Sequence, residues 1–240
     1  MALPPALLLD HLSADAHQMA AIAAEADLST PVPSCPGWSL ADLIAHLGSV
    51  HRWATQVVRT GVVAEQRPPP DDLGRLAAWF ADGADQLITT LRDADLERPC
   101  WGFGPPPQLA GFWVRRQALE TSIHLWDAAT CLGQDALIDP RLAGDGVDEV
   151  VSVLLPRQVR LGRTRPPAGT VRLRIAGTSA TWELGGDDAC PPSPDTATVT
   201  APAATLFLLL WRRVDLADAG AQVEGDLALA RDVLVQPLTP

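Results

Sequence analysis

Apolar residues recur at helical spacing through the first two thirds of the chain and alternate at period two only towards its end. Leu8, Leu12, Met19 and Ala23, with Leu9 and Ile22 beside them, predict a helix over residues 5–26. The loop LSTPVPSCPG follows, marked by its proline and serine content. A second helix begins where Ser39 stands at an N-cap position with Asp42 three residues on, a short capping box. Its stripe is Leu43, Leu47, Val50, Ala54 and Val57, and it ends near Gly61. The connector EQRPPPDD leads to a third helix over 71–93, in which Leu73, Leu76, Ala77, Phe80, Ala84, Leu87, Ile88 and Leu91 share one face. The segment 97–111 contains PCWGFGPPP, too rich in proline and glycine for a regular element, and long loops of this kind often line sites. A fourth helix over 112–131 has Leu119, Ile123 and Trp126 as its seam, and a fifth covers 145–159.

The pattern then changes. RLGRTRPPAG reads as a linker, and the alternating TVRLRIA and SATWEL, joined through a Gly-Thr turn, read as a hairpin. ATVTA is a third strand, 202–213 an apolar helix ending in Trp211, Arg212 and Arg213, QVEG a short strand and DLALARDVL a last helix. The chain is therefore expected to have two parts, a helical bundle over 1–160 and a small α+β domain over 168–240.

Composition narrows the chemistry. The formal net charge of −11 over 240 residues disfavours nucleic acid or an anionic membrane as partner. All 18 basic residues are arginine, which excludes Schiff-base chemistry, pyridoxal phosphate attachment and a P-loop lysine. Tyrosine is absent as well. There is no apolar run of membrane-spanning length and no basic n-region, so a transmembrane helix and a signal peptide are not expected. Cys35, Cys100, Cys131 and Cys190 form no CxxC pair and read as reduced thiols of a cytoplasmic protein. Cys35 reads as a small buried turn residue. Arg157, Arg160, Arg163, Arg165, Arg172 and Arg174 read as a solvated linker and an exposed strand face.

Histidines and carboxylates supply the candidate site. Arg116, Glu120, His124 and Asp127 share one face of the fourth helix, with Glu120 and His124 one turn apart. Joined by a histidine from the second helix, the pair would give an N,N,O donor set with positions left open, the pattern of a catalytic divalent metal site, typically zinc. Two histidines compete for that place. With Leu47 at the centre of the stripe, His51 lies about 40° off and His46 about 100° off, so the helical wheel prefers His51 as the inward residue. His11 and His17 of the first helix read as solvated or rim residues.

PSCPGWSLADLIAHLGSVHRWA, followed by ETSIHLWDAA, LFLLLWRRVDL and VEGDLALA in that order, resembles the mycothiol-dependent maleylpyruvate isomerase family. The resemblance implies an N-terminal DinB-like four-helix bundle holding a divalent metal, usually zinc, and a C-terminal α+β domain similar to sterol carrier proteins. It places the metal ligands at His46, Glu120 and His124, against the wheel, and leaves His51 as a core or supporting residue. It assigns a functional arginine to Arg213, beside Arg212. Asp127 is expected to orient His124 or Arg116. The expected activity is addition of metal-activated mycothiol to a small electrophile, ending in cis–trans isomerisation or S-transfer. A metal-dependent hydrolase and a non-catalytic small-molecule-binding protein on the same bundle are the alternatives.

Overall fold

The structure is a computed structural model, described for residues 3–66, 68–185 and 196–240. Cys190 lies outside the described residues. The chain divides into two compact units, 3–138 and 139–240.

The first unit is a four-helix bundle of α1 (Pro5–Glu25), α2 (Leu40–Thr60), α3 (Leu76–Asp93) and α4 (Gly111–Cys131). α1 and α2 each pack against both α3 and α4 and barely meet one another, so they stand diagonally across the bundle. α1 starts at Pro5, whose missing N–H costs nothing in a first turn. α2 carries the expected capping box: Ser39 Oγ accepts from Asp42 N–H at 3.3 Å and Asp42 Oδ2 accepts from Ser39 N–H at 2.8 Å. The core contains the predicted stripe residues Leu12, Met19, Leu43, Leu47, Phe80, Leu87 and Leu119, joined by Trp113, which no predicted stripe included.

The third stripe begins later than its spacing suggested. Leu73 falls in a 3₁₀ turn (Leu73–Arg75) that Asp72 caps by accepting from Gly74 N–H, and its side chain is exposed. The proline- and glycine-rich segment folds back on itself through a bridge between Pro99 and Leu109. It delivers Trp101 and Phe103 into an edge-to-face aromatic cluster with Trp53, Phe112 and Trp113. The tryptophan indoles are satisfied there, Trp113 donating to Trp101 O and Trp53 to Ala64 O.

The second unit opens with α5 (Pro140–Glu149), which runs through a π turn (Val150–Leu154) into α6 (Leu155–Arg160). Pro156 explains the π turn: it lacks an N–H and crowds the carbonyl four residues back, so the ladder widens and Leu155 N–H reaches Val150 O. A four-stranded sheet of order β2-β1-β3-β4 follows, built from β1 (Thr170–Ile175), β2 (Thr181–Leu184), β3 (Thr196–Ala201) and β4 (Gln222–Gly225). β1 and β2 form the expected antiparallel hairpin, β1 and β3 are parallel, and β4 returns antiparallel to β3. Val171, Leu173, Val199 and Ala201 point to the core. On the opposite face Arg172 pairs across the strands with Glu183 at 2.6 Å, so this member of the arginine run is an exposed strand residue, as read. α7 (Ala203–Leu210) and α8 (Leu227–Leu234) complete the unit.

The boundary expected at 160–168 is displaced. α5 packs on α7, with Gly146 set so closely against Phe207 that an added Cβ would lie 2.5 Å from its ring. A helix docked on the α+β core belongs to that core, and the linker read at RLGRTRPPAG is an internal connection.

Candidate metal centre

The site is assembled by α2, α4 and the turn that precedes α2. That turn is Cys35-Pro36-Gly37-Trp38, closed by Trp38 N–H on Cys35 O at 3.0 Å. Gly37 takes φ 85°, the left-handed position a turn of this shape requires after proline. The capping box then fixes where α2 begins, and so where His46 falls, two turns in.

His46, Glu120 and His124 converge, each offering one donor atom within 4.8 Å of the others. His46 Nε2 lies 3.5 Å and His124 Nε2 3.4 Å from the same oxygen, Glu120 Oε1. A tetrahedral ion with bonds of 2.0–2.1 Å holds its ligand atoms about 3.3 Å apart, so these spacings fit the edges of a zinc coordination polyhedron. Glu120 and His124 are largely buried, whereas the His46 side chain is 38% exposed and leaves the centre accessible from one side.

Glu120 and His124 are each oriented by a neighbour. Arg116, one turn before Glu120, donates to Glu120 Oε2 at 2.6 Å and turns Oε1 towards the histidines. Burial alone would push the Glu120 carboxyl up, but Arg116 and the two histidines outweigh it and hold it well below the usual range. Asp127 Oδ2 accepts from His124 Nδ1 at 2.9 Å, which leaves Nε2 to face the centre. Burial would depress His124, yet the bonds to Asp127 and Glu120 win and raise it to about 9. The expectation that Asp127 orients His124 or Arg116 resolves to His124, while Arg116 serves Glu120.

His51 is no part of this cluster. It is fully buried, its Nε2 hydrogen-bonded to Thr121 Oγ1 at 2.9 Å and its ring 5.5 Å from that of Phe80. Burial depresses it to about 3, so it is neutral. The helical wheel was right that His51 is the more inward residue; inwardness and proximity to Glu120 are different properties on this helix. Arg213 lies in the second unit, where its Nη1 donates to Trp211 O at 3.0 Å and its guanidinium stands 5.7 Å from the Trp211 ring. His17 is exposed and meets Asp85 at 3.4 Å, a rim residue as expected.

Two contacts were missed by the sequence reading. The Trp38 ring lies 5.0 Å from that of His46, and Cys35 Sγ donates to Asp127 Oδ2 at 3.6 Å. A single turn thus meets His46 on α2 and, on α4, the Asp127 that bonds His124. The adjacency of CPGW to the histidine helix was the available signal; which atoms it meets depends on α4.

The sequence profile of the mycothiol maleylpyruvate isomerase N-terminal domain matches residues 9–129, and that of the corresponding C-terminal domain matches 141–232. The chain belongs to the mycothiol-dependent maleylpyruvate isomerase family. The two profiles meet on either side of 130–140, where the compact units also divide. Among solved structures, a histidine-to-alanine mutant of the mycothiol-dependent maleylpyruvate isomerase superposes with a TM-score of 0.62 at 13% identity, covering 86% of this chain and 88% of the other. A second crystal structure of the mycothiol-dependent maleylpyruvate isomerase gives 0.60 at 13% identity with the same coverage. At that identity the likeness speaks for the fold. No curated protein matched the chain. No helix among the described residues is long and apolar enough to cross a membrane.

Proposed function

We propose that this protein is a metal- and thiol-dependent isomerase of the maleylpyruvate type, with mycothiol as thiol cosubstrate and a divalent cation, zinc by donor set, at the bundle centre. The observation that carries the reading is the convergence of two imidazole nitrogens on one carboxylate oxygen at 3.4 and 3.5 Å. His46, Glu120 and His124 would hold the cation. Bound there, it supplies the positive charge that favours the thiolate form of a cosubstrate whose thiol otherwise titrates near pH 8.5. Glu120 stays ionised beside Arg116, and Asp127 accepts the Nδ1 proton of His124, so that release of the Nε2 proton as a cation binds would free a lone pair facing the centre.

The chemistry proposed for the metal centre is balanced without a further reagent. The thiolate sulfur adds to one carbon of a cis alkene conjugated to a carbonyl, and the π pair moves to the carbonyl oxygen. Rotation about the new single bond follows. Collapse of the enolate then expels the thiolate and restores the double bond as trans. Arg213 is proposed as the catalytic cation of the second unit, suited to an anionic substrate. S-transfer would stop at the adduct, and the same residues would serve it. A cytoplasmic location belongs to the same proposal, because both the cosubstrate and the cysteines need a reducing compartment.

Metal content and thiol dependence, measured on one preparation, test both halves. One divalent cation per chain and turnover of maleylpyruvate only with mycothiol are expected. Protein that neither contains nor takes up zinc refutes the metal half, and turnover without thiol refutes the thiol half.

A further inference from the structure

α7 ends in a Schellman turn whose left-handed position is filled by an arginine. Arg213 N–H bonds Leu208 O at 2.8 Å and Arg212 N–H bonds Leu209 O at 2.9 Å, the paired contacts of that motif. Arg212 stands at φ 55°, the sole non-glycine residue with positive φ among those described. Glycine is usual here because a Cβ crowds the following carbonyl in this region, and arginine has no local hydrogen bond to compensate as asparagine has. The helix dipole does not demand Arg212 either, since Arg213 offers a cation at the same helix end. A backbone held in a disfavoured region is most economically explained by where it sends the side chain.

Arg212 lines a pocket of about 310 Å³, a size suited to a small molecule. Leu209, Leu216 and Leu234 give it apolar walls, and Arg231 and Asp215 are its other charged residues. Neither Arg212 nor Arg231 has an ion pair or a side-chain hydrogen bond among the described residues. Two unpaired guanidinium groups against one carboxylate leave the pocket one positive charge in excess, in a chain whose net charge is −11. A guanidinium presents donors in a fork that matches a carboxylate, while the leucines match an apolar body.

We propose that this pocket binds a small monocarboxylate with an apolar body, held by Arg212 and Arg231. The proposal stands on the second unit alone and does not depend on the metal or thiol chemistry. Hexanoate and benzoate, with hexanamide and benzamide as uncharged counterparts, are the probes, titrated calorimetrically into the full-length, zinc-loaded protein. Saturable binding of the carboxylates is expected, at least tenfold tighter than of the amides. Arg212→Gly and Arg231→Ala are each expected to weaken carboxylate binding at least tenfold. Arg212→Gly suits the left-handed backbone, so an undiminished melting temperature will show that the loss is not one of folding. Absence of saturable binding, equal affinity for acid and amide, or carboxylate binding that survives Arg212→Gly at wild-type strength would each overturn the proposal, the last because that binding would belong elsewhere.

Discussion

His51 is held neutral by burial, with one ring nitrogen on Thr121 and the other, Nδ1, without a hydrogen-bond partner among the described residues. Its pKa of about 3 in the folded chain lies below the 6.5 of an exposed imidazole, so between those values the unfolded chain binds a proton that the folded chain does not. Folding is therefore penalised as pH falls below about 6.5. At pH 5 the penalty from this one group is about 2 kcal/mol. Asp15 works in the opposite sense: its carboxyl is raised to about 6 by burial, so it contributes stability at low pH that is lost as pH rises through that value. The wild-type curve mixes these with other shifted groups, His124 among them, and the difference between wild type and His51→Gln isolates His51. Urea unfolding at pH 7.5 and pH 5 should show the variant losing less stability on acidification than wild type, by about 2 kcal/mol. An equal loss in both would mean that His51 is hydrated or protonated in the fold.

The same substitution separates the two histidines of α2. His51→Gln should keep its zinc, whereas His46→Ala and His124→Ala should each lose it, as read by metal analysis after gel filtration. Zinc retained by His46→Ala and lost by His51→Gln would restore the helical wheel's preference. At this scale the sequence carried much: the E-x-x-x-H pair and the polar face of α4 are periodicity made visible. Periodicity could not rank His46 against His51 as ligand, because a wheel reports angle about one axis and proximity to Glu120 depends on α4; the choice of His46 came from the family resemblance alone. The Cys35–Asp127 and Trp38–His46 contacts were hidden for the same reason, each joining groups whose proximity is set by a third element.

At the scale of elements, caps and stripes were legible and interruptions were not. The capping box of Ser39 and Asp42 was visible because both halves lie within four residues. Leu73 fitted the spacing of α3 but was claimed by a local Asp72 cap, a competition that spacing alone does not arbitrate. Pro156 sits inside a helical pattern, and the chain absorbs it by a π turn instead of a break. The join between α5 and α7 was invisible, since it rests on a residue with no side chain. Gly146 lets the Phe207 ring lie where a methyl group would be 2.5 Å from it, and Phe207 is fully buried and has nowhere to retreat. Alanine at 146 would gain up to about 1 kcal/mol of helix propensity and incur about 1–3 kcal/mol of overpacking. A net loss of about 1 kcal/mol is expected in the unfolding of Gly146→Ala, with zinc content unchanged. A stabilised variant would show that α5 is free to slide on α7.

At the scale of the whole molecule, that contact decides how the chain is divided. Composition put the boundary at the arginine- and proline-rich stretch after residue 160, on the sound rule that linkers look like that. The fold divides at 138/139 because α5 and the π turn after it bury Leu142, Val147, Val150 and Leu154, and α5 packs on α7 in the second unit. The two rules predict different behaviour in fragments. Cut at 138, the first piece keeps all four bundle helices and every metal-ligand candidate, and the second keeps α5 on its core. Cut at 160, the first piece carries α5 and α6 as an unsupported apolar helix, and the second exposes the Phe207 surface that Gly146 covered. Fragments 1–138 and 139–240 should therefore each be soluble and unfold cooperatively, with 1–138 binding one zinc ion. Fragment 161–240 should aggregate or stay unfolded, and 1–160 should bind zinc but associate through its added helix. Size-exclusion chromatography, circular dichroism melts and zinc titration distinguish the outcomes. A stable 161–240 would return the boundary to the linker and make α5 a member of the bundle.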